Sequence, residues 1–421
     1  MSISRRQFII KGLQGTGVLA LSIPVISCTS KYKCADTQSG DMIFSTHYFE
    51  ITKDGQFSLV MDKTDMGQGT TTLFSSLFAE EAEIPLERIQ IVPAKVDPAY
   101  NTGMGVQITG GSTSTSDRFL TIREAGAFLK ATMLYAAAAK TGEPVESLKA
   151  EKGHIKTSKI LIPYGDLIEW AEVQKINNYP LKDKKDFKIL GKERPMVDSF
   201  EKSTGKAEYG IDKKLENMVV AVVLRPPHFT ARLKSFNYDK LNSQPGFVDC
   251  FAIASGVAIV FEKYWQTLKT RDLVDIEWES GSSAQLTSQE IFDRYKKDIS
   301  QKKGDKVVEE GDLEKVFQSG KTVEAEYHLP YLAHATMEPM NCVAWYQGDS
   351  LDIYSPNQGP TLVRNASAAL VGLPREKVFV HTTKFLGGGF GRRSTLDYNL
   401  EAVEVSKKLK RPVKLMWSRE D

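Results

Sequence analysis

Cysteine is scarce: four in 421 residues (Cys28, Cys34, Cys250 and Cys342), with no C-x-x-C pair. That pattern excludes a structural zinc or an iron–sulfur cluster held by this chain's own cysteines. Histidine is equally sparse, six in all, and no H-E-x-x-H occurs. His334-Ala335-Thr336-Met337-Glu338-Pro339-Met340-Asn341 has no second His or Cys at ligand spacing. It reads instead as a turn at Pro339 with His334, Glu338 and Asn341 hydrogen-bonded around it. No G-x-S-x-G elbow is present and Cys342 follows no catalytic signature, so covalent hydrolase chemistry has no support. No charge of one sign dominates. The formal charge is +2, and a chain cut after Ser27 keeps 52 basic against 53 acidic residues. Nothing here suggests a nucleic-acid-binding surface. What remains is ordinary globular composition, 41% hydrophobic with 31 Gly and 17 Pro, long enough for two or three domains.

Long apolar runs are also missing. The longest near the N-terminus, Gly12 to Ser27, would span ~24 Å as a helix against the ~30 Å of a bilayer core. It follows Ser4-Arg5-Arg6-Gln7-Phe8-Ile9-Ile10-Lys11, which reads as a twin-arginine export signal over residues 1–27. Val25-Ile26-Ser27-Cys28 resembles a lipoprotein box, making Cys28 the expected lipid attachment; a plain signal peptide with an incidental cysteine is the alternative. Residues 28–41 read as a tether. The expectation is export by the twin-arginine route to the periplasm, with a lipid anchor as the sole membrane contact. Because that route carries folded proteins, often with a cofactor already inserted, it favours a complex redox cofactor.

One unit occurs twice. Met66-Gly67-Gln68-Gly69 opens a segment with Leu73, Phe74, Leu77 and Phe78 at helical spacing, then Ile84-Pro85-Leu86-Glu87-Arg88-Ile89-Gln90-Ile91-Val92 reads as a proline-started alternating strand. Asn357-Gln358-Gly359 opens a second helical stretch with Leu362, Ala366, Ala369 and Leu370, and Leu373-Pro374-Arg375-Glu376-Lys377 leads into a strand to Val380. These are read as related half-domains. A Gln-Gly at a helix start leaves backbone N–H groups and partial positive charge open to an anion, where a simple helix cap is the alternative.

Between the copies, Phe119 to Lys140 reads as a helix. Lys182 to Lys188 reads as a solvated loop, and Met218–Leu224, Gly256–Phe261 and Leu273–Trp278 read as strands of a small β-rich module. Residues 281–320 read as a polar linker region. Leu386-Gly387-Gly388-Gly389-Phe390-Gly391-Arg392-Arg393 lies between a strand and a helix expected near Ser394–Leu409. It matches neither a dinucleotide fingerprint nor a Walker loop. Its glycines let backbone N–H groups face a ligand oxygen, with Arg392 and Arg393 as phosphate partners; a ligand-free glycine hairpin is the alternative. Thr109-Gly110-Gly111-Ser112-Thr113-Ser114-Thr115-Ser116 offers five hydroxyls after its glycine pair and before the Phe119 helix, as donors for a polyanion or as a flexible loop.

In this order, with Ser203-Thr204-Gly205-Lys206-Ala207-Glu208-Tyr209-Gly210-Ile211-Asp212 between them, the motifs over residues 42–421 resemble the molybdopterin-binding large subunit of the xanthine dehydrogenase and aldehyde oxidase family. The nearest branch is that of the isoquinoline 1-oxidoreductase beta subunits. The resemblance implies an α+β fold of repeated α/β half-domains. They would be an N-terminal molybdopterin-binding segment (42–198), an inserted α/β hammerhead domain (199–285), a linker (286–320) and an incomplete first part of the main molybdopterin-binding domain (321–421). It implies molybdopterin cytosine dinucleotide as cofactor, its molybdenum ligated by no protein side chain. Gln68 and the hydroxyls of Ser112, Thr113, Ser114 and Thr115 would hold the pterin. Gln358 would hydrogen-bond a molybdenum oxygen, and the amides around Phe390 would border the metal. Gly67, Gly69, Gly388, Gly389, Gly391 and Arg392 complete the implied cofactor-binding set.

The implied partners are a [2Fe–2S] small subunit, a cytochrome c acceptor and a small-molecule substrate, an N-heterocycle or aldehyde oxidised with water as oxygen source. The family's catalytic glutamate lies in a glycine-rich motif near the C-terminus, and no G-V-G-E segment occurs here. A general base contributes ~10²–10⁴-fold, so no catalytic residue is assigned within these 421 residues. The expectation is the front part of a longer or split large subunit. A non-catalytic exported lipoprotein of this fold, serving as a binding or assembly module, is the alternative, and a periplasmic solute-binding lipoprotein is a third reading.

Overall fold

The computed structural model describes residues 43–171, 176, 178–301 and 304–421. The export signal, Cys28 and the tether lie outside the described residues. Among the described residues no helix is long and apolar enough to cross a membrane. The chain divides after Ala207 into two compact units.

The first unit is built on a four-stranded sheet in chain order: β1 (Ile43–Ser45), β2 (Phe49–Thr52), β3 (Phe57–Met61) and β4 (Ile89–Pro93). Inward residues alternate along β2 and β3, so Phe49, Ile51, Phe57, Leu59 and Met61 enter one core. Between β3 and the parallel β4 runs helix Thr70–Ala82. Helix Ser114–Thr141 packs beside it. Their close approach rests on Gly126, where a Cβ would stand 2.7 Å from the Phe78 carbonyl oxygen and 3.0 Å from Glu81 Cβ. Gly126→Ala is expected to destabilise this unit by about 1–3 kcal/mol, despite the better helix propensity of alanine, because two helix backbones must separate. Thermal unfolding of the variant checks this. A small three-stranded sheet, β5 (Lys149–Glu151), β6 (His154–Lys156) and β7 (Leu161–Pro163), completes the unit.

The second unit carries a seven-stranded sheet. Its strands are β8 (Val219–Leu224), β10 (Phe247–Ile253), β11 (Gly256–Phe261), β13 (Asn341–Tyr346), β14 (Leu351–Ser355), β15 (Val378–Thr382) and β16 (Val413–Met416), in the order β10-β11-β8-β16-β13-β14-β15. A separate pair joins β9 (Arg232–Asn237) to β12 (Asp275–Glu279). β11 is buried along its whole length, as expected of a continuous apolar run covered on both faces. The parallel pairing of β8 with β16 makes one sheet of strands that stand almost 200 residues apart in sequence.

The repeat is present in the backbone of both units. In the first, antiparallel β2 and β3 lead to helix Thr70–Ala82, a 3₁₀ turn at Leu86–Arg88 and parallel β4. In the second, antiparallel β13 and β14 lead to helix Pro360–Val371, a 3₁₀ turn at Arg375–Lys377 and parallel β15. The correspondence then runs further than the sequence pattern. After β4 comes the Thr109–Thr113 loop and helix Ser114–Thr141; after β15 come the glycine loop and helix Asp397–Leu409. The two donor-rich loops are therefore equivalent positions in one repeated fold.

Three sequence expectations need correction. The helix expected at Phe119 begins at Ser114, so Ser114, Thr115 and Ser116 of the hydroxyl run lie in its first turn and only the preceding part is loop. The strand expected from Ile84 begins at Ile89, because Pro85 starts a 3₁₀ turn. The lysine stretch is not solvated throughout. Lys182 reaches Glu80 at 2.8 Å and Glu83 at 2.7 Å, and Lys188 reaches Glu83 at 2.8 Å.

Candidate cofactor site

Each unit presents its own loop-and-helix constellation. In the first, Gly67 and Gly69 take left-handed backbone angles (φ 106° and 82°), which lets Met66–Gly69 fold into a tight bend before helix Thr70–Ala82. Buried Asp65 closes the bend. Its carboxylate accepts from Gly67 N–H at 2.9 Å, Thr71 N–H at 3.0 Å and the Thr70 hydroxyl at 3.3 Å. Burial alone would raise the Asp65 carboxyl, but those amides and nearby Lys202 outweigh it and hold the pKa below the ordinary value. The helix end read as open to an anion thus already faces a carboxylate. The Gln68 side chain turns back on its own bend: Oε1 accepts from Met66 N–H at 2.7 Å and Nε2 donates to the Thr64 carbonyl at 2.9 Å. What Gln68 supplies here is the shape of the bend.

The Thr109–Thr113 loop is more open. Buried Thr109 accepts from Thr64 N–H at 2.9 Å, and the Thr113 hydroxyl donates to Asp117 at 3.0 Å. Asp117 in turn pairs with fully buried Lys63 at 3.0 Å. No side chain caps helix Ser114–Thr141. The hydroxyls of Ser112, Ser114 and Thr115 have no partner among the described residues, so three donors border an uncapped helix end.

In the second unit the glycine loop is held from below by a buried ion pair. Glu338 and Arg393 meet at 3.2 Å, with side-chain exposures of 5% and 0%. Glu338 Oε1 accepts from Ile211 N–H at 3.0 Å and Asn341 Nδ2 at 2.9 Å, and its Oε2 accepts from Gly387 N–H at 2.9 Å. Arg393 donates through Nε to the Gly388 carbonyl at 2.6 Å and through Nη2 to the Glu338 carbonyl at 2.7 Å. Burial pulls the guanidinium below its usual pKa, with Glu338 opposing that effect. Gly387 has no room for a side chain, since a Cβ there would lie 2.3 Å from Glu338 Cβ.

The floor fixes the upper loop. Arg393 O accepts from Gln358 N–H at 3.1 Å, and the buried Gln358 side chain accepts from Gly391 N–H at 3.1 Å. Gln358 and the glycine loop, far apart in sequence, are thereby brought together. Between them the N–H groups of Gly389 and Phe390 have no acceptor among the described residues. Phe390 sits at φ 55°, a strained angle for a bulky residue, and is 68% exposed. Two consecutive open amides beside a buried carboxamide make a compact donor site for oxygen ligands.

Two expected anion partners are placed otherwise. Arg393 is buried in the floor and unavailable to a phosphate. Arg392 pairs with Asp397 at 2.9 Å and lies over the Trp417 ring at 4.8 Å. His334 is exposed and takes no part in the hydrogen bonds joining Glu338 and Asn341. The Arg393–Glu338 pair is what sequence reasoning missed as a unit. Both residues stand in motifs visible in the sequence, but 55 positions separate them.

Two family models, each described as a molybdopterin cofactor-binding domain, match residues 11–213 and 295–421. The chain belongs to the xanthine dehydrogenase and aldehyde oxidase family of molybdopterin-binding large subunits. It is 27% identical to the membrane-bound aldehyde dehydrogenase [pyrroloquinoline-quinone] of Gluconacetobacter polyoxogenes, over all of this chain and 56% of that protein. It is 23% identical to the isoquinoline 1-oxidoreductase beta subunit of Brevundimonas diminuta, over all of this chain and 60% of that subunit. It is 24% identical to a nicotinate dehydrogenase subunit of Pseudomonas putida, over 89% of this chain and 32% of that subunit. The chain thus spans from 32% to 60% of the length of these relatives. The α/β architecture with repeated half-domains accords with the two matched models.

Proposed function

We propose that this chain is the molybdopterin-holding portion of a molybdenum hydroxylase large subunit that oxidises an N-heterocycle or an aldehyde, with water as the oxygen source. The observation that carries this reading is the Gln358–Gly389–Phe390 donor site, set in a chain matched by two molybdopterin-domain models. The residues present fit such a group. A bulky polyanion rich in acceptors needs neutral donors with little side-chain obstruction, and that is what the glycine loop provides within the second unit; the Ser112, Ser114 and Thr115 hydroxyls offer donors of the same kind within the first. Molybdopterin cytosine dinucleotide, when bound, supplies the redox chemistry that moves oxygen from water to substrate carbon. The protein's part is to hold and orient it. The Gly389 and Phe390 amides donate to its oxygens, Gln358 keeps the loop in register, and the Glu338–Arg393 floor prevents the loop from closing over its own N–H groups. A [2Fe–2S] small subunit, a cytochrome c acceptor and a lipid-anchored periplasmic location complete the proposal. The subunit names of two relatives support a partner subunit and the Arg5-Arg6 and Cys28 motifs support the location, while the iron–sulfur cluster and the cytochrome rest on the family resemblance alone.

Molybdenum content tests this. The purified chain, alone or joined to the unmatched part of the Brevundimonas diminuta relative, is expected to hold close to one molybdenum per chain in at least one form. Gln358→Ala is expected to reduce that content severalfold while costing only about 1–2 kcal/mol of stability, from the unmet Gly391 N–H donor. Molybdenum absent from both forms would favour the non-catalytic binding or assembly module.

A further inference from the structure

Within the second unit, residues 286–301 and 304–337 show a face that the described residues of that unit leave uncovered. Helix Ser288–Ser300 opens with a full capping box between Thr287 and Glu290, a strongly specified start, yet none of its residues is buried. Ile291, Phe292, Tyr295 and Ile299 share one side of it, and Ile299 is 75% exposed. Beside it runs Thr322-Val323-Glu324-Ala325-Glu326-Tyr327-His328-Leu329-Pro330-Tyr331. Its odd positions are apolar and its even positions polar or proline, which is the pattern of a half-covered β-strand.

No strand forms there. Every residue from 321 to 335 is exposed, with Val323 at 93%, Tyr327 at 86% and Leu329 at 79%. The even side is occupied by the helix, where Glu326 pairs with Lys296 at 3.0 Å and His328 meets the Phe292 ring at 5.4 Å between centroids. On the odd side Tyr331 turns to the helix and meets the Tyr295 hydroxyl, while Val323, Ala325, Tyr327 and Leu329 stay exposed and the backbone of 321–335 makes no hydrogen bond among the described residues. An exposed apolar row on an unpaired extended backbone is a template for another strand.

We infer that residues 322–332 are an acceptor edge for a β-strand supplied by the remainder of the molybdopterin-binding fold, whether joined in the same polypeptide or separate. Two observations select this occupant. The family model covers 295–421, so the segment belongs to the packed domain and is not a connector. The relatives matched along this whole chain are much longer, with only 56% and 60% of their lengths accounted for, so the fold has further chain to supply. An incoming strand would satisfy the free N–H and C=O groups and cover Val323, Ala325, Tyr327 and Leu329 together. This rests on family membership alone and not on cofactor binding, so its test uses molybdenum-free protein.

Hydrogen exchange of the full chain is measured alone, then with the unmatched remainder of the Brevundimonas diminuta or the Gluconacetobacter polyoxogenes relative, added separately and also joined to the chain. Amides of 322–332 are expected to slow at least tenfold in the presence of one of these remainders, with those of β13 and β14 unchanged. Tyr327→Lys and Leu329→Lys should each abolish most of that protection while leaving exchange in β11 as in the parent chain. Protection elsewhere with 322–332 unaltered overturns the inference, as does no protection from either remainder in either form. Protection that grows with the chain's own concentration, with no remainder added, overturns it in favour of self-association.

Discussion

Arg393→Met is expected to destabilise the unit that holds it by roughly 3–5 kcal/mol, because it leaves the Glu338 carboxylate buried without its cation. The floor has no slack to absorb the loss. Arg393 is fully buried, and three carbonyl oxygens, those of Gly388, Pro356 and Glu338, take its hydrogen bonds. Methionine fills part of the volume and satisfies none of them. The charge and the hydrogen bonds can be separated. Glu338→Gln in the Arg393→Met background removes the unpaired charge while keeping an oxygen for the Ile211, Asn341 or Gly387 donors. The double variant is therefore expected to be more stable than Arg393→Met alone, with a coupling of about 1–3 kcal/mol between the sites. Urea unfolding of the two single variants, the double variant and the parent measures it. A double variant as unstable as the sum of the singles would mean that the carboxylate and guanidinium act independently and that the loop has another support.

That prediction turns on something the sequence pattern does not contain. The repeat was legible because it is written in local chemistry: glycine before a helix, proline ahead of a strand, alternation along it. Each is set by residues a few positions apart. The Gln-Gly starts and the apolar strand at Gly256–Phe261 therefore appear where the sequence places them, whereas the proline segments form 3₁₀ turns ahead of their strands. The ion-pair floor is not local. Glu338 sits in a histidine-containing motif that invites a metal reading, and Arg393 in one that looks like a phosphate site; only the hydrogen bonds of Arg393 to the Pro356 carbonyl and to Glu338 show that they answer each other. The same holds for Gln68 and Gln358, which look alike in sequence. One folds onto its own bend and the other supports a loop more than thirty residues away. The cause is burial: Gln358 is 2% exposed, whereas Gln68 lies on the surface.

The largest effect expected in the first unit comes from Glu80→Ala. Glu80 and Glu81 are adjacent acids on the covered side of helix Thr70–Ala82, against the rule that charge faces water. They are buried because they organise the chain that covers them. Glu80 accepts from the N–H groups of Lys188 at 2.9 Å, Ile189 at 2.6 Å and Leu190 at 3.0 Å, and from the Lys182 ammonium at 2.8 Å. Glu81 takes Arg123 at 2.6 Å and the Lys182 amide at 3.0 Å. Removing Glu80 orphans three amides at once, so a loss of roughly 3–5 kcal/mol is expected, with residues 182–190 becoming the first site of proteolytic cleavage. The pH dependence identifies the cause. Burial raises the Glu80 and Glu83 carboxyls, but Lys182 and, for Glu80, the Ile189, Lys188 and Leu190 amides outweigh it and hold both below the ordinary 4.5. A carboxyl depressed on folding stabilises above its unfolded value, and that stabilisation is lost as pH falls through the folded value. The gap in stability between parent and Glu80→Ala should therefore be widest above about pH 5 and narrow steadily as the pH falls below 4.5. A gap that stays constant down to pH 3 would assign the loss to packing of the side chain and not to its charge.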